Sequence, residues 1–228
     1  MDDQDLIERA AAVGQGSEVG QARLGRGDWL IAGLRILIDE GIDAVRITRL
    51  ADDLGVTRGS FYWHFRDRDD LLNGLIEFWS QKNTAAVREA VAGAPSLTDG
   101  ILALFDAWID PERFDPRLDH AMRDWARRSD RVRRAVDDAD TERVAVIASL
   151  YRGFGYDEDE AFIRARVIYF GQIGYYALDL DESLAARLAN LEAYYLCFTG
   201  TPIDPAAAAA YRHRYLNPED PNSEKDSA

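Results

Sequence analysis

The sequence lacks most of the features that commit a chain to catalysis, secretion or a membrane. Cys197 is its only cysteine. One thiol closes no intrachain disulfide and builds no thiolate zinc site. No apolar run approaches the ~18 residues of a membrane span. Met1-Asp2-Asp3-Gln4-Asp5 is acidic where a secretory signal would be basic, so the expectation is a cytoplasmic protein with no membrane partner. His64, His120 and His213 are scattered. No Ser-centred elbow, HExxH helix, P-loop or paired-cysteine motif occurs, so neither an enzyme nor a cofactor is expected. Lysine is nearly missing: Lys82 and Lys225 are the only two among 27 cations, and the rest are arginines. Positive charge is short as well. Against 41 acids the formal net charge is −14, a poor balance for nonspecific nucleic-acid binding.

What is present is helical periodicity. The chain of 228 residues has room for one large domain or two small ones, and no clear period-two run appears. Leu30, Ile31, Leu34, Leu37 and Ile38 form one face of an amphipathic helix that Gly41 ends. Short helices follow over about 47–54 and 58–64. Asp67 is placed to cap a long helix reaching about Ala92, where Gly93 and Pro95 stop it. Further helices are predicted near 97–110, 116–127, 130–153, 158–178, 182–198 and 205–215. Residues 1–22 read as a flexible extension and 217–228 as a disordered tail. Gly14, Gly16 and Gly20 follow no strand and miss the dinucleotide spacing. Asp137-Asp138-Asp140 reads as an exposed helical face. Asp157-Glu158-Asp159-Glu160 reads as an acid-rich helix start, and neither cluster reads as a metal site.

The informative stretch is 46–65, from Arg46-Ile47-Thr48-Arg49 to Tyr62-Trp63-His64-Phe65. Two short helices joined near Gly55 make helix-turn-helix geometry. Ala51 is small where the second helix must cross closely, and Gly55 permits the left-handed turn. Leu50, Leu54, Val56, Phe61 and Phe65 supply packing. Arg58, Ser60, Tyr62 and His64 remain on the outer side, with Thr57 and Gly59 at the helix start. These are groups suited to base edges and phosphates.

On these residues the sequence resembles the tetracycline-repressor (TetR) family of transcriptional regulators. Leu50-Ala51, Leu54-Gly55-Val56, Gly59-Ser60-Phe61-Tyr62-Trp63-His64-Phe65 and Arg68-Asp69-Asp70-Leu71-Leu72 carry the resemblance, which is specific over about 28–80. It implies an all-α fold. A three-helix DNA-binding domain over 23–68 would precede a helical effector-binding and dimerisation domain over 69–216. By the resemblance Tyr62, His64 and Arg68 would contact phosphate, while Arg58, Gly59 and Ser60 would face the major groove. Thr57 and Trp63 lie beside them, and Arg49 is a further candidate for phosphate. The family often has Ser or Thr where Arg46 stands. Arginine cannot cap, so either Arg46 reaches phosphate itself or Thr48 takes over part of the contact.

The net charge can be partitioned. Residues 26–68 hold seven arginines and seven acids. The surplus acid therefore belongs to the rest of the chain. Arg46, Arg49, Arg58, Arg66 and Arg68 lie in or beside the expected DNA face.

A lone helix-turn-helix binds weakly, and a two-fold dimer matches a palindromic operator. The expected dimer surface is the last two long helices, with Phe162, Phe170, Gly174, Ala177, Leu188, Leu191 and Tyr195. Burial of these residues inside one protomer is the competing arrangement. Phe105, Trp108, Met122, Trp125, Tyr151 and Tyr169 are expected to line a cavity for an apolar or aromatic effector. The function read from the sequence is a homodimeric repressor of double-stranded operator DNA, released by a small molecule. The alternatives are a ligand-independent or activating regulator of the same fold, and a helical ligand- or protein-binding protein without DNA binding.

Overall fold

The computed structural model describes residues 24–217, apart from Asp179 and Asp181. The expected extension over 1–22 and nearly all of the expected tail over 217–228 lie outside the described residues. Among the described residues there is no strand. No helix there is long and apolar enough to cross a membrane.

The helices are α1 (Arg26–Glu40), α2 (Ile47–Asp53), α3 (Arg58–Phe61), α4 (Arg68–Val91), α5 (Leu97–Ile109) and α6 (Pro116–Ala126). They continue as α7 (Asp130–Gly153), α8 (Glu158–Ala177), α9 (Leu184–Ala189), α10 (Leu191–Thr199) and α11 (Pro205–Leu216). Local chemistry sets many of the ends. The Asp67 carboxylate accepts from the Asp70 amide at 2.9 Å and caps α4. Asp115, Asp157, Ser183 and Asp204 cap α6, α8, α9 and α11 in the same way. Gly200, with φ +77°, closes α10 in the left-handed conformation. The helix expected over 182–198 is two helices, broken at Asn190.

Two compact units are present. The first runs to Val87 and takes in Ala107–Arg143; the second takes Arg88–Asp106 and the described residues from Val144 on. The unit that holds the helix-turn-helix is thus larger than residues 23–68. The reason is a shared apolar core. Trp29, Leu37, Leu50, Phe61, Phe65, Leu75, Trp79, Leu118, Met122 and Trp125 are buried in one cluster spanning α1 to α4, α6 and the start of α7. Helices α1 and α4 approach closely: a Cβ on Gly33 would stand 3.2 Å from Leu75 Cδ2.

The first unit also has a polar centre. Arg143, fully buried, donates to Asp119 at 3.0 Å and through Nε to the Thr84 hydroxyl at 3.1 Å. Its guanidinium lies over the rings of Trp79 and Phe114. Asp119 also accepts from the Trp79 indole at 3.0 Å and from Arg123 at 2.7 Å. Burial pushes the Asp119 carboxyl up, but the Arg123 and Arg143 guanidiniums outweigh it and hold the group below the ordinary carboxylate range.

In the second unit Tyr151 and Tyr156 donate to the carbonyls of Phe198 and Thr199. Thr98 and Tyr195 share a hydrogen bond of 2.8 Å. Leu188, Leu191 and Tyr195 are buried there.

Candidate nucleic-acid interface

Residues 54–57 join α2 to α3. The Gly55 amide bonds to the Asp52 carbonyl at 3.2 Å and the Val56 amide to the Ala51 carbonyl at 2.9 Å. Those two bonds are a Schellman closure, and they require Gly55 to sit at φ +66°. Leu50 and Ala51 are buried beneath the turn.

Helix α3 is a single turn, shorter than the expected 58–64. Phe61 goes inward, edge-on to Trp29 at 5.3 Å and stacked on Phe65 at 5.2 Å. The amides of Trp63 and His64 bond three residues back, to Ser60 and Phe61. This tighter winding brings Phe65 into the core.

It also turns Tyr62 and Trp63 outward, 61% and 86% exposed. Two large aromatic side chains are thus held in water at the end of α3. Thr57, Arg58 and Gly59 are exposed beside them, while Ser60 and His64 are half-buried.

Arg46 occupies the N-cap position of α2 without a side-chain cap bond. Its Nε donates to the Asp43 carbonyl at 2.8 Å, and the side chain is otherwise exposed. Thr48 and Arg49 are exposed on the same short helix. Arg49 pairs with Glu40 at 2.8 Å and with Asp53 at 3.4 Å; the Glu40 hydrogen bond raises its pKa further. Arg68 donates through Nε to Val45 and through Nη2 to Ile42, at 2.6 and 3.0 Å. Arg66 is exposed, with its amide on Asp70 at 3.0 Å.

Four acids around the helix-turn-helix are ion-paired. Asp39 pairs with Arg117, Glu40 with Arg49, Asp43 with Arg128, and Asp53 with Arg35 and Arg49. Among the described residues Arg46 and Arg58 carry no carboxylate partner. Both guanidiniums lack an acid there although residues 26–68 are neutral in sum.

The other expected site residues distribute as follows. Trp108, Met122 and Trp125 belong to the first unit, and Phe105, Tyr151 and Tyr169 to the second. Met122 and Trp125 are part of the first unit's core; Tyr151 and Tyr169 are buried in the second, and Phe105 meets Phe198 at 6.2 Å. On α8, Phe162, Phe170 and Ala177 are exposed and Gly174 has nothing within 4 Å of a Cβ position. Val167 and Ile163, on the same helix, are more exposed than Phe162. Among the described residues no three His, Cys, Asp or Glu side chains converge as metal ligands.

Comparison with known proteins places this geometry. Residues 30–75 match the family of bacterial regulatory proteins, tetR family. The HTH-type transcriptional regulator AcrR of Shigella flexneri is 39% identical over 44 residues, covering 19% of this chain and 20% of that protein. The tetracycline repressor protein class G of Vibrio anguillarum is 36% identical over 55 residues, covering 24% and 26%. The matches thus span about a fifth to a quarter of these relatives. The ketosteroid transcriptional regulator KstR2 of Mycobacterium tuberculosis shares the fold, with a TM-score of 0.59 and 18% identity over 82% of this chain and 99% of that one.

Proposed function

We propose that this chain, which carries the helix-turn-helix of the tetR family of bacterial regulatory proteins, is a homodimeric repressor of transcription that reads a palindromic operator. The observation that carries this reading is the outward face of α3. Trp63 and Tyr62 stand in water just past α3, the helix that the exposed Arg58 begins, and folding alone gives no reason to expose them. Arg58 and Ser60 reach base edges, while Tyr62, His64, Thr48 and Arg46 take phosphate. Arg68 and Arg49 act mainly by holding the reading head in shape, since both are engaged within the protein.

Dimerisation follows from α8. Phe162, Ile163, Val167 and Phe170 run along one exposed face, and Gly171 and Gly174 leave open space beside it. A second copy covers such a face by two-fold symmetry. Release by a small apolar or aromatic effector completes the proposal, with aromatic side chains such as Phe105 as its contacts.

Selection of bound DNA from a random pool tests the reading, followed by a salt titration on the selected sequence. A paired half-site separated by about one helical turn is expected. Log affinity should fall linearly with log salt. Recovery of no enriched sequence would overturn the proposal.

A further inference from the structure

Lys82 is one of two lysines in the chain, and it is only 7% exposed. It lies on α4 and lines a cleft of about 250 Å³ bounded by α1, α4 and α6, all within the first unit. Among the described residues its ammonium has neither a hydrogen-bond nor an ion-pair partner. The other charged side chains of the cleft are engaged within the protein. Arg117 pairs with Asp39 at 2.7 Å, Arg35 pairs with Asp53, and Asp115 accepts from the Leu118 amide at 2.9 Å. A cation largely withdrawn from water gains from a carboxylate brought directly onto it. The rest of the lining is largely apolar, and Ile31, Ile38 and Phe78 are only half-buried.

We propose that this cleft binds a small amphipathic monocarboxylate, its carboxylate on the Lys82 ammonium and its apolar body against Ile31, Ile38 and Phe78. One unpaired cation calls for one negative charge. The volume lies just below the ~300 Å³ at which small-molecule pockets usually begin, so the acid has a single ring or a short chain. Inorganic anions would leave the apolar wall unused. The cleft is bounded by α1 and α4, which also pack against the reading head, so an occupant that prefers one arrangement of that unit shifts its population. The inference is independent of the DNA-binding reading and of the aromatic effector, because anion binding is measured without DNA.

The full chain labelled with ¹³C-lysine carries two lysine Cε signals, and Lys225→Arg assigns them. Benzoate and hexanoate are titrated, with benzamide and inorganic phosphate as controls. The Lys82 signal is expected to move saturably with at least one acid, while Lys225 stays fixed and benzamide binds about tenfold more weakly or worse. Calorimetry on Lys82→Met should show a similar loss with the helical circular dichroism retained. If that variant does not fold, the labelled wild-type chain alone decides. No saturable movement with either acid would overturn the proposal. So would equal binding of benzamide, equal binding of phosphate, or parallel movement of both lysine signals.

Discussion

The guanidinium of Arg68, at the start of α4, donates through Nε to the carbonyl of Val45, 2.6 Å away at the entrance to α2. A second donor reaches the Ile42 carbonyl. One side chain therefore pins the segment before α2 to the first turn of α4. Arg68→Ala is expected to cost about 1.5–3 kcal/mol in urea unfolding, the range for hydrogen bonds to a charged group. Arg68→Lys should restore only part of it, because an ammonium lacks the fork that spans two carbonyls. Unchanged stability in Arg68→Ala would assign this arginine to phosphate alone.

Phe61 and Trp63 are two residues apart and face opposite fates. Phe61→Ala should cost about 3–5 kcal/mol, as core aromatics do. Trp63→Ala should stay within about 0.5 kcal/mol of the parent, as exposed substitutions do. Operator affinity should nonetheless fall in Trp63→Ala. Chemical denaturation beside a gel-shift titration separates the two effects.

Base and phosphate contacts predict different specificity. Tyr62→Phe and His64→Ala should weaken all operator variants about equally, because phosphates carry no sequence. Arg58→Ala should cost about 1–3 kcal/mol and relax the preference at one base position. Measured against a panel of single-base operator variants, identical profiles for the two classes would refute these roles.

Asp119 links stability to pH. Its carboxyl is held below the ordinary range in the folded chain, so its contribution is present at neutral pH. That contribution is lost as pH falls through the carboxylate range and the group is protonated. Asp119→Asn should flatten this acid limb. It should also lower stability at neutral pH by about 3–5 kcal/mol, since Arg143 is left buried without its counter-charge. Urea midpoints measured from neutral pH downward give both results.

The α8 face predicts the assembly state. Val167→Asp places a charge on an exposed position, so the protomer should keep its helical signal and its melting temperature at limiting dilution. Sedimentation should then report a monomer, and affinity for the paired half-site should collapse while single half-site binding persists. A dimer in this variant would move the interface elsewhere.

Much of the helix-turn-helix was legible because its signals are local. Gly41 and Asp67 mark a helix end and a cap by chemistry acting over three or four residues. Gly55 marks the turn because its left-handed φ is strained for residues with a Cβ. The end of α3 was not legible. A helix through His64 satisfies the same pattern of apolar residues. It stops at Phe61 because Trp29 and Phe65 compete for the same core, and Trp29 lies over thirty positions away. The fate of Arg68 was hidden for the same reason: its acceptors are carbonyls 23 and 26 residues earlier.

The second unit shows the limit more sharply. Periodicity marks apolar faces on α8, α9 and α10 alike. It does not say that Leu188, Leu191 and Tyr195 turn inward while Val167 and Ile163 are left in water. By itself the sequence determined the helical class, the position of the helix-turn-helix and the local neutrality of its charge, since these depend on neighbours along the chain. Only the tertiary structure decided which arginines are spent on carboxylates and carbonyls and which remain open, and that Lys82 is buried without a partner among the described residues. Those outcomes depend on groups brought together through space, where burial changes what a charge costs.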